Sequence, residues 1–216
     1  GRQRNVLYMR GDASNSPVSW TAPLVLSGAT TAVKPDIAVT SSGDVHIVWG
    51  EVVPVNTGPG QDPLYYYYVG YRQYSPASGS WSDAVRIDPN PVLVNQIEPT
   101  EATPRLALWE SGDEVHLCVA WNGYREGEPA AEDALLSCSK DRGQTWQTPR
   151  TMSPPPEGVD QDVDISTWPS IAFDASGTLH GTWRQRIAMD EQGPYYEIYY
   201  AHMLNQVFLP LVIRNG

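Results

Sequence analysis

Pro35-Asp36-Ile37-Ala38-Val39, followed by Gly43-Asp44-Val45-His46-Ile47-Val48-Trp49, opens a pattern that the chain repeats. It returns as Pro104-Arg105-Leu106-Ala107-Leu108 with Val115-His116-Leu117-Cys118-Val119-Ala120-Trp121. It returns again as Pro169-Ser170-Ile171-Ala172-Phe173 with Gly177-Thr178-Leu179-His180-Gly181-Thr182-Trp183. The leading prolines stand 69 and then 65 residues apart. A fixed period of this size marks one supersecondary unit, repeated and stacked.

Each copy reads as two strands joined by a Ser-Gly type turn. A proline starts the first strand, and the second alternates apolar and polar side chains. A third strand follows a variable loop: Leu64 to Tyr71, Ala134 to Cys138, and Tyr195 to Tyr200. A turn ending in Trp then leads to a fourth strand, from Trp81 to Ile87 and from Trp146 to Met152. Asn5 to Met9 and Trp20 to Leu26 have the same third-and-fourth-strand form. Trp20, Trp81 and Trp146 keep the period at 61 and 65 residues. With Trp49, Trp121 and Trp183 on the second strands, they are expected to anchor the core of each unit.

Four antiparallel strands per repeat make a propeller blade. The expected fold is all-β, an array of three to three and a half four-stranded blades over residues 1–205. An apolar tail occupies 206–216. Joining the last inner strands to the opening outer strands would give three blades, fewer than known rings contain. A lone copy is therefore expected to stay open.

Ser139-Lys140-Asp141-Arg142-Gly143-Gln144-Thr145-Trp146 fits the pattern Ser-x-Asp-x-Gly-x-Thr-Trp. The Asp accepts backbone N–H groups in the turn, Gly143 takes a positive φ, and Trp146 folds onto the blade. Tyr74 to Trp81 is a worn copy without the Asp, and Arg10-Gly11-Asp12 before Trp20 is another with a longer loop. The chain resembles the sialidase-type Asp-box (BNR repeat) β-propellers over nearly its whole length. That resemblance implies a fold shared by enzymes, glycan binders and scaffolds. It also implies that Ser139, Asp141, Gly143, Thr145 and Trp146 hold a turn away from catalysis.

Family sialidases use a Tyr–Glu nucleophile pair, an Asp acid/base and three arginines, one of them in an early Phe/Tyr-Arg-Ile-Pro motif. That motif is absent here. Arg72, Arg105 and Arg184 are the arginines available for such a cluster. Tyr196 and Glu197 are neighbours on a strand and so point to opposite faces. No catalytic residue is assigned, and an enzyme, if present, would be a sialidase-like glycoside hydrolase.

His46, His116 and His180 recur once per unit, too far apart to share a metal, so each is expected to bond within its own blade. Asp160-Gln161-Asp162-Val163-Asp164 resembles the start of a calcium loop but has Ile165 where the EF-hand needs Gly. A solvated acidic loop is preferred, with a local Ca²⁺ site as the alternative; no other cofactor or metal is expected. Register that sets Trp121 near Leu135 brings Cys118 to Cys138 or its neighbour, leaving a disulfide or two buried thiols.

The net charge of -11, with Lys34 and Lys140 the two lysines, disfavours nucleic acid and anionic membrane as partners. No apolar run spans a bilayer. Gly1-Arg2-Gln3-Arg4 reads as a trimmed end, and the β-repeat, acidity and cysteine pairing favour an exported, cell-surface or extracellular protein. Val207, Phe208, Leu209, Leu211, Val212 and Ile213, in a Leu-Pro-Leu-Val context similar to the ends of some exported bacterial proteins, read in two ways. They form either the outermost strand of the last blade or a strand inserted into a neighbouring subunit. The expected function is a non-catalytic structural or adhesive module that pairs with itself into a ring or filament. The alternative is a glycan-binding or glycan-hydrolysing propeller fragment of a larger precursor.

Overall fold

A computed structural model describes residues 4–14, 16–28, 30–55, 58, 64–88, 93–94, 103–125, 128–152, 165–191, 193–204 and 207–213. Every regular element among them is a strand. The chain opens with a hairpin ladder: β1 (Leu7–Tyr8) pairs β4 (Leu24–Val25), and β2 (Gly11–Asp12) pairs β3 (Ser19–Trp20). Three antiparallel sheets follow. The first, sheet I, contains β5 (Thr31–Val39), β6 (Val45–Val55) and β7 (Leu64–Ser75). Its fourth strand is broken into β8 (Ser80–Trp81), β9 (Val85–Arg86) and β10 (Leu93–Val94), all lying along β7.

Sheet II is β11 (Arg105–Ser111), β12 (Glu114–Arg125), β13 (Glu128–Ser139) and β14 (Arg150–Thr151). Sheet III is β15 (Ile165–Phe173), β16 (Leu179–Asp190), β17 (Gly193–Leu204) and β18 (Val207–Ile213). The apolar tail is thus the outermost strand of sheet III in the same chain, with Tyr200 opposite Leu211.

The sheets stack in chain order, and alternation along each strand supplies one apolar layer per junction. Val6 and Leu26 of the hairpin meet Val45, Ile47 and Trp49 of sheet I. The opposite face of sheet I, with Val48, Val69, Tyr71 and Ile87, meets Val115, Leu117, Val119 and Trp121. The opposite face of sheet II, with Cys118, Ala120, Leu136 and Met152, meets Leu179, Trp183, Tyr199 and Ala201. Residues 46 and 48, and 116 and 118, therefore face the following sheet, 180 and 182 lie on the outer face of sheet III, and Trp49, Trp121 and Trp183 face the preceding sheet or hairpin.

Trp20 differs from the core role expected of it. It is 62% exposed; none of the described sheets packs against it. The prolines also differ from their expected place. Pro35 and Pro169 lie inside β5 and β15, each at a register break, between Val33 and Asp36 and between Thr167 and Ser170. The preceding residues, Lys34 and Trp168, take positive φ of 51° and 57°. Proline lacks a ladder donor, and the bulge places it where none is needed.

The inner strands are sewn together by side chains. Asp36 Oδ2 accepts the Leu106 N–H at 2.9 Å, and Asn122 Oδ1 accepts the Trp168 N–H at 2.9 Å.

Candidate functional site

The turn at Ser139 to Trp146 is built as its residue types require. Asp141 Oδ1 accepts the Thr145 N–H at 2.9 Å and the Ser139 hydroxyl at 2.7 Å, and Ser139 Oγ accepts the Gly143 N–H at 2.9 Å. Burial works against the Asp141 charge, but hydrogen bonds from Thr145 and Ser139 outweigh it and hold its pKa below the usual carboxylate range. Gly143 has φ +83° and lies against the Tyr71 hydroxyl. Trp146 meets the Tyr71 ring edge to face, with centroids 5.1 Å apart. The turn thus clamps sheet II onto sheet I.

The histidines bond within their own sheets. His46 Nδ1 lies 2.8 Å from Tyr71 Oη, and His180 Nδ1 lies 2.6 Å from Tyr200 Oη. Tyr71 also donates to the Arg142 carbonyl at 3.3 Å. A carbonyl only accepts, so Nδ1–H of His46 donates to the phenol oxygen. Nε2 is then left buried without a hydrogen bond. Burial pushes the His46 pKa down to about 4.

In sheet II the residue in register with Tyr71 is Leu136, opposite Ala120, and Cys138 is bonded to Cys118 directly opposite it (S–S 2.04 Å). His116 Nε2 lies 3.2 Å from the Glu114 carboxylate, on its own strand. Among the described residues no group of three metal-ligating side chains occurs. The Asp160–Asp164 loop lies outside the described residues.

The arginines are dispersed. Arg72 donates to the Ser82 and Leu26 carbonyls, and Arg105 lies on β11, in another sheet. Glu197 accepts from the Tyr199 hydroxyl at 3.4 Å, but Tyr199 is buried and stacked on Trp183 at 5.8 Å. The tyrosine of that contact is thus committed to packing, while Glu197 is half-buried. In the tyrosine-rich strand Tyr71 is buried, and Tyr68 is capped by Arg86 at 3.7 Å. Glu51 holds Arg86 there by an ion pair of 2.9 Å.

An exposed arrangement remains on the outer face of sheet III; sequence reasoning named Arg184 and Tyr196 but not Trp168, which joins them. The guanidinium carbon of Arg184 lies 3.9 Å from the ring centroid of Trp168 and 3.9 Å from that of Tyr196. Thr167, itself buried, fixes this cation by accepting from Nε at 3.3 Å. Trp168 is 62% exposed and is held out by its left-handed backbone and by Asn122. A bulky residue at positive φ is strained, and such strain concentrates at functional sites. The sequence signal was present: an aromatic before a proline, in register with Lys34.

The Nη groups of Arg184 have no hydrogen-bond partner among the described residues. The arrangement can stack an apolar sugar face on aromatic carbon and grip an oxyanion with the Nη fork.

A second concavity, of about 230 Å³, opens between sheets II and III. Trp109, His116, the Cys118–Cys138 bond, Arg150, Phe173 and Met203 line it.

No family model matches the chain, and no curated protein matches it. Among solved structures it is similar to polysaccharide lyase Uly1, at TM-score 0.51 and 14% identity, over 85% of this chain and 40% of that one. A structure of the polysaccharide lyase PL25 ulvan lyase matches at TM-score 0.47 and 12% identity, over 85% and 43%. The Hadza microbial sialidase Hz136 matches at TM-score 0.46 and 15% identity, over 79% and 35%. At such identities the likeness to Uly1 concerns the fold alone. The chain spans less than half the length of each of these proteins.

Proposed function

We propose that the chain is part of an extracellular, propeller-like protein that recognises glycans without cleaving them, and that it takes acidic sugars at Trp168, Arg184 and Tyr196. The observation that carries this reading is the Arg184 cation held between two exposed rings, 3.9 Å from each. Aromatic faces stack on the C–H face of a sugar, and a planar guanidinium suits a carboxylate or sulfate. The Cys118–Cys138 disulfide supports an oxidising compartment. The likeness of the fold to the polysaccharide lyase Uly1 fits a glycan-related role.

Titration with uronic-acid, sulfated and neutral oligosaccharides, followed by calorimetry or tryptophan fluorescence, tests the reading. Acidic sugars should bind, and Arg184→Gln should weaken them at least tenfold. Absence of binding to every sugar class would overturn it. A fluorogenic sialoside should not be turned over; turnover abolished by Glu197→Gln would show an enzyme instead.

A further inference from the structure

We infer that the cleft between sheets II and III is a binding site for a small aromatic acid, one planar ring carrying a carboxylate or sulfonate. The other two junctions fill the same place with rings of their own. Tyr8 of the hairpin meets Trp81 of sheet I edge to face, with centroids 4.9 Å apart and planes at 72°. Tyr71 of sheet I meets Trp146 of sheet II at 5.1 Å and 72°.

Strand register identifies the place. Leu24 lies opposite Tyr8, and Arg150 lies opposite Leu136. The Thr21 N–H donates to the Arg10 carbonyl at 2.9 Å, and the Gln147 N–H donates to the Cys138 carbonyl at 2.9 Å. Arg10, Thr21 and Leu24 line a concavity against sheet I, together with the rings of Tyr8 and Trp81. Their counterparts Cys138, Gln147 and Arg150 line the cleft against sheet III. There Leu136 stands where the hairpin has Tyr8. The turn tryptophan has no counterpart, because β17 runs into β18 through Asn205-Gln206, with Leu204 opposite Val207. The volume left between the sheets is about 230 Å³, which suits one ring rather than a chain of them. Both walls are four-stranded sheets of this chain, so neither is an open face.

The lining is aromatic and cationic. Trp109 of sheet II lies on Gly177 of sheet III, where a Cβ would stand 2.7 Å from its ring, and its centroid is 6.4 Å from that of Phe173. These contacts span the junction and fix the spacing of its walls. His116, Lys140 and Arg150 line the cleft, and no carboxylate lines it. Glu114, which bonds His116 Nε2 at 3.2 Å, is not part of the lining. In a chain with 25 Asp and Glu against 14 Lys and Arg, this is a local reversal of sign. A cleft of one sign between low-dielectric walls focuses its field on a counter-ion. Burial pushes the Arg150 pKa below its ordinary value, and Nη2 donates to the Met203 thioether, a weak acceptor, at 2.6 Å. A carboxylate offers that guanidinium a stronger acceptor. The ring of the ligand then packs on Trp109 and Phe173, as Trp81 and Trp146 pack on their tyrosines. The site is separate from the Trp168–Arg184–Tyr196 platform, since Leu179 and Arg184 point to opposite faces of sheet III.

Titration of the full chain with benzoate, followed by calorimetry and by the methyl resonances of ¹³C-labelled methionine, tests the inference. Benzoate should bind at one site and shift the Met203 methyl saturably while leaving Met9 in place. Benzamide, which keeps the ring without the charge, should bind about tenfold more weakly or less. Acetate and glucuronate, which lack the aromatic ring, should not shift Met203. Arg150→Gln should weaken benzoate about tenfold or more. Lys140→Gln, a change at an exposed side chain, should weaken it with an unchanged thermal transition, and serves should Arg150→Gln disturb folding. Arg184→Gln should keep benzoate affinity whatever it does to acidic sugars, which separates this site from the sugar-binding reading. A Met203 methyl unmoved by tens of millimolar benzoate would overturn the inference. So would benzamide or glucuronate matching benzoate at Met203, or folded Arg150 and Lys140 variants that both bind like the wild type.

Discussion

Gly143 lies so close under Tyr71 that a Cβ built on it would stand 1.9 Å from the phenol oxygen. Its φ of +83° is also one that a side chain resists. Gly143→Ala should therefore cost about 2–4 kcal/mol, the sum of left-handed strain and a displaced core tyrosine. Urea denaturation would show a lowered midpoint at an unchanged slope. A loss within 0.5 kcal/mol would mean that the turn does not clamp the two sheets.

His46 makes stability depend on pH. Its folded pKa, lowered by burial to about 4, lies below its unfolded value. The unfolded chain thus binds the proton first, and stability falls as pH drops from about 6.5 towards 4. The contribution lost over that window is up to about 3 kcal/mol. Midpoints measured from pH 7 to pH 4.5 should fall more steeply for the wild type than for His46→Gln. Parallel slopes would rule out the buried neutral imidazole.

Reduction of Cys118–Cys138 opens a cross-link with a sequence separation of 20. Loop-closure entropy sets the expected loss at about 3 kcal/mol. The double variant Cys118→Ser, Cys138→Ser should melt lower than the oxidised wild type, and dithiothreitol should lower the wild type alone. A transition indifferent to reductant would contradict this.

Trp168 separates recognition from stability. Trp168→Gly removes the left-handed strain along with the ring. It should leave the melting temperature unchanged or raised while acidic-sugar affinity falls at least tenfold. A variant that loses stability and keeps affinity would show that the ring serves packing instead.

The repeat made the strands legible, because alternation and recurring Trp-ended turns report local geometry directly. The register linking Trp121 to Leu135 was readable for the same reason, and it carries Cys118 to Cys138. Trp20 was misread because its burial depends on what packs against the hairpin, which its own segment does not encode. The bulges escaped because a proline near the head of an apolar run looks like a strand start. Only pairing on both sides of Pro35 and Pro169 shows that the strands continue. The Arg184 platform escaped for a related reason. Its three side chains come from two strands and a bulge, and no spacing in the chain announces that they meet.

The kinks at Lys34 and Trp168 share one backbone shape while carrying unrelated side chains, a flexible cation and a large ring, both turned to water. Packing is thereby uncoupled from chemistry at this spot. Exchanging the residue ahead of the proline rewrites what the surface offers a visitor and leaves the interior undisturbed. The architecture in effect carries a socket whose fitting can be swapped, and selection or a protein engineer could retune preference there one substitution at a time.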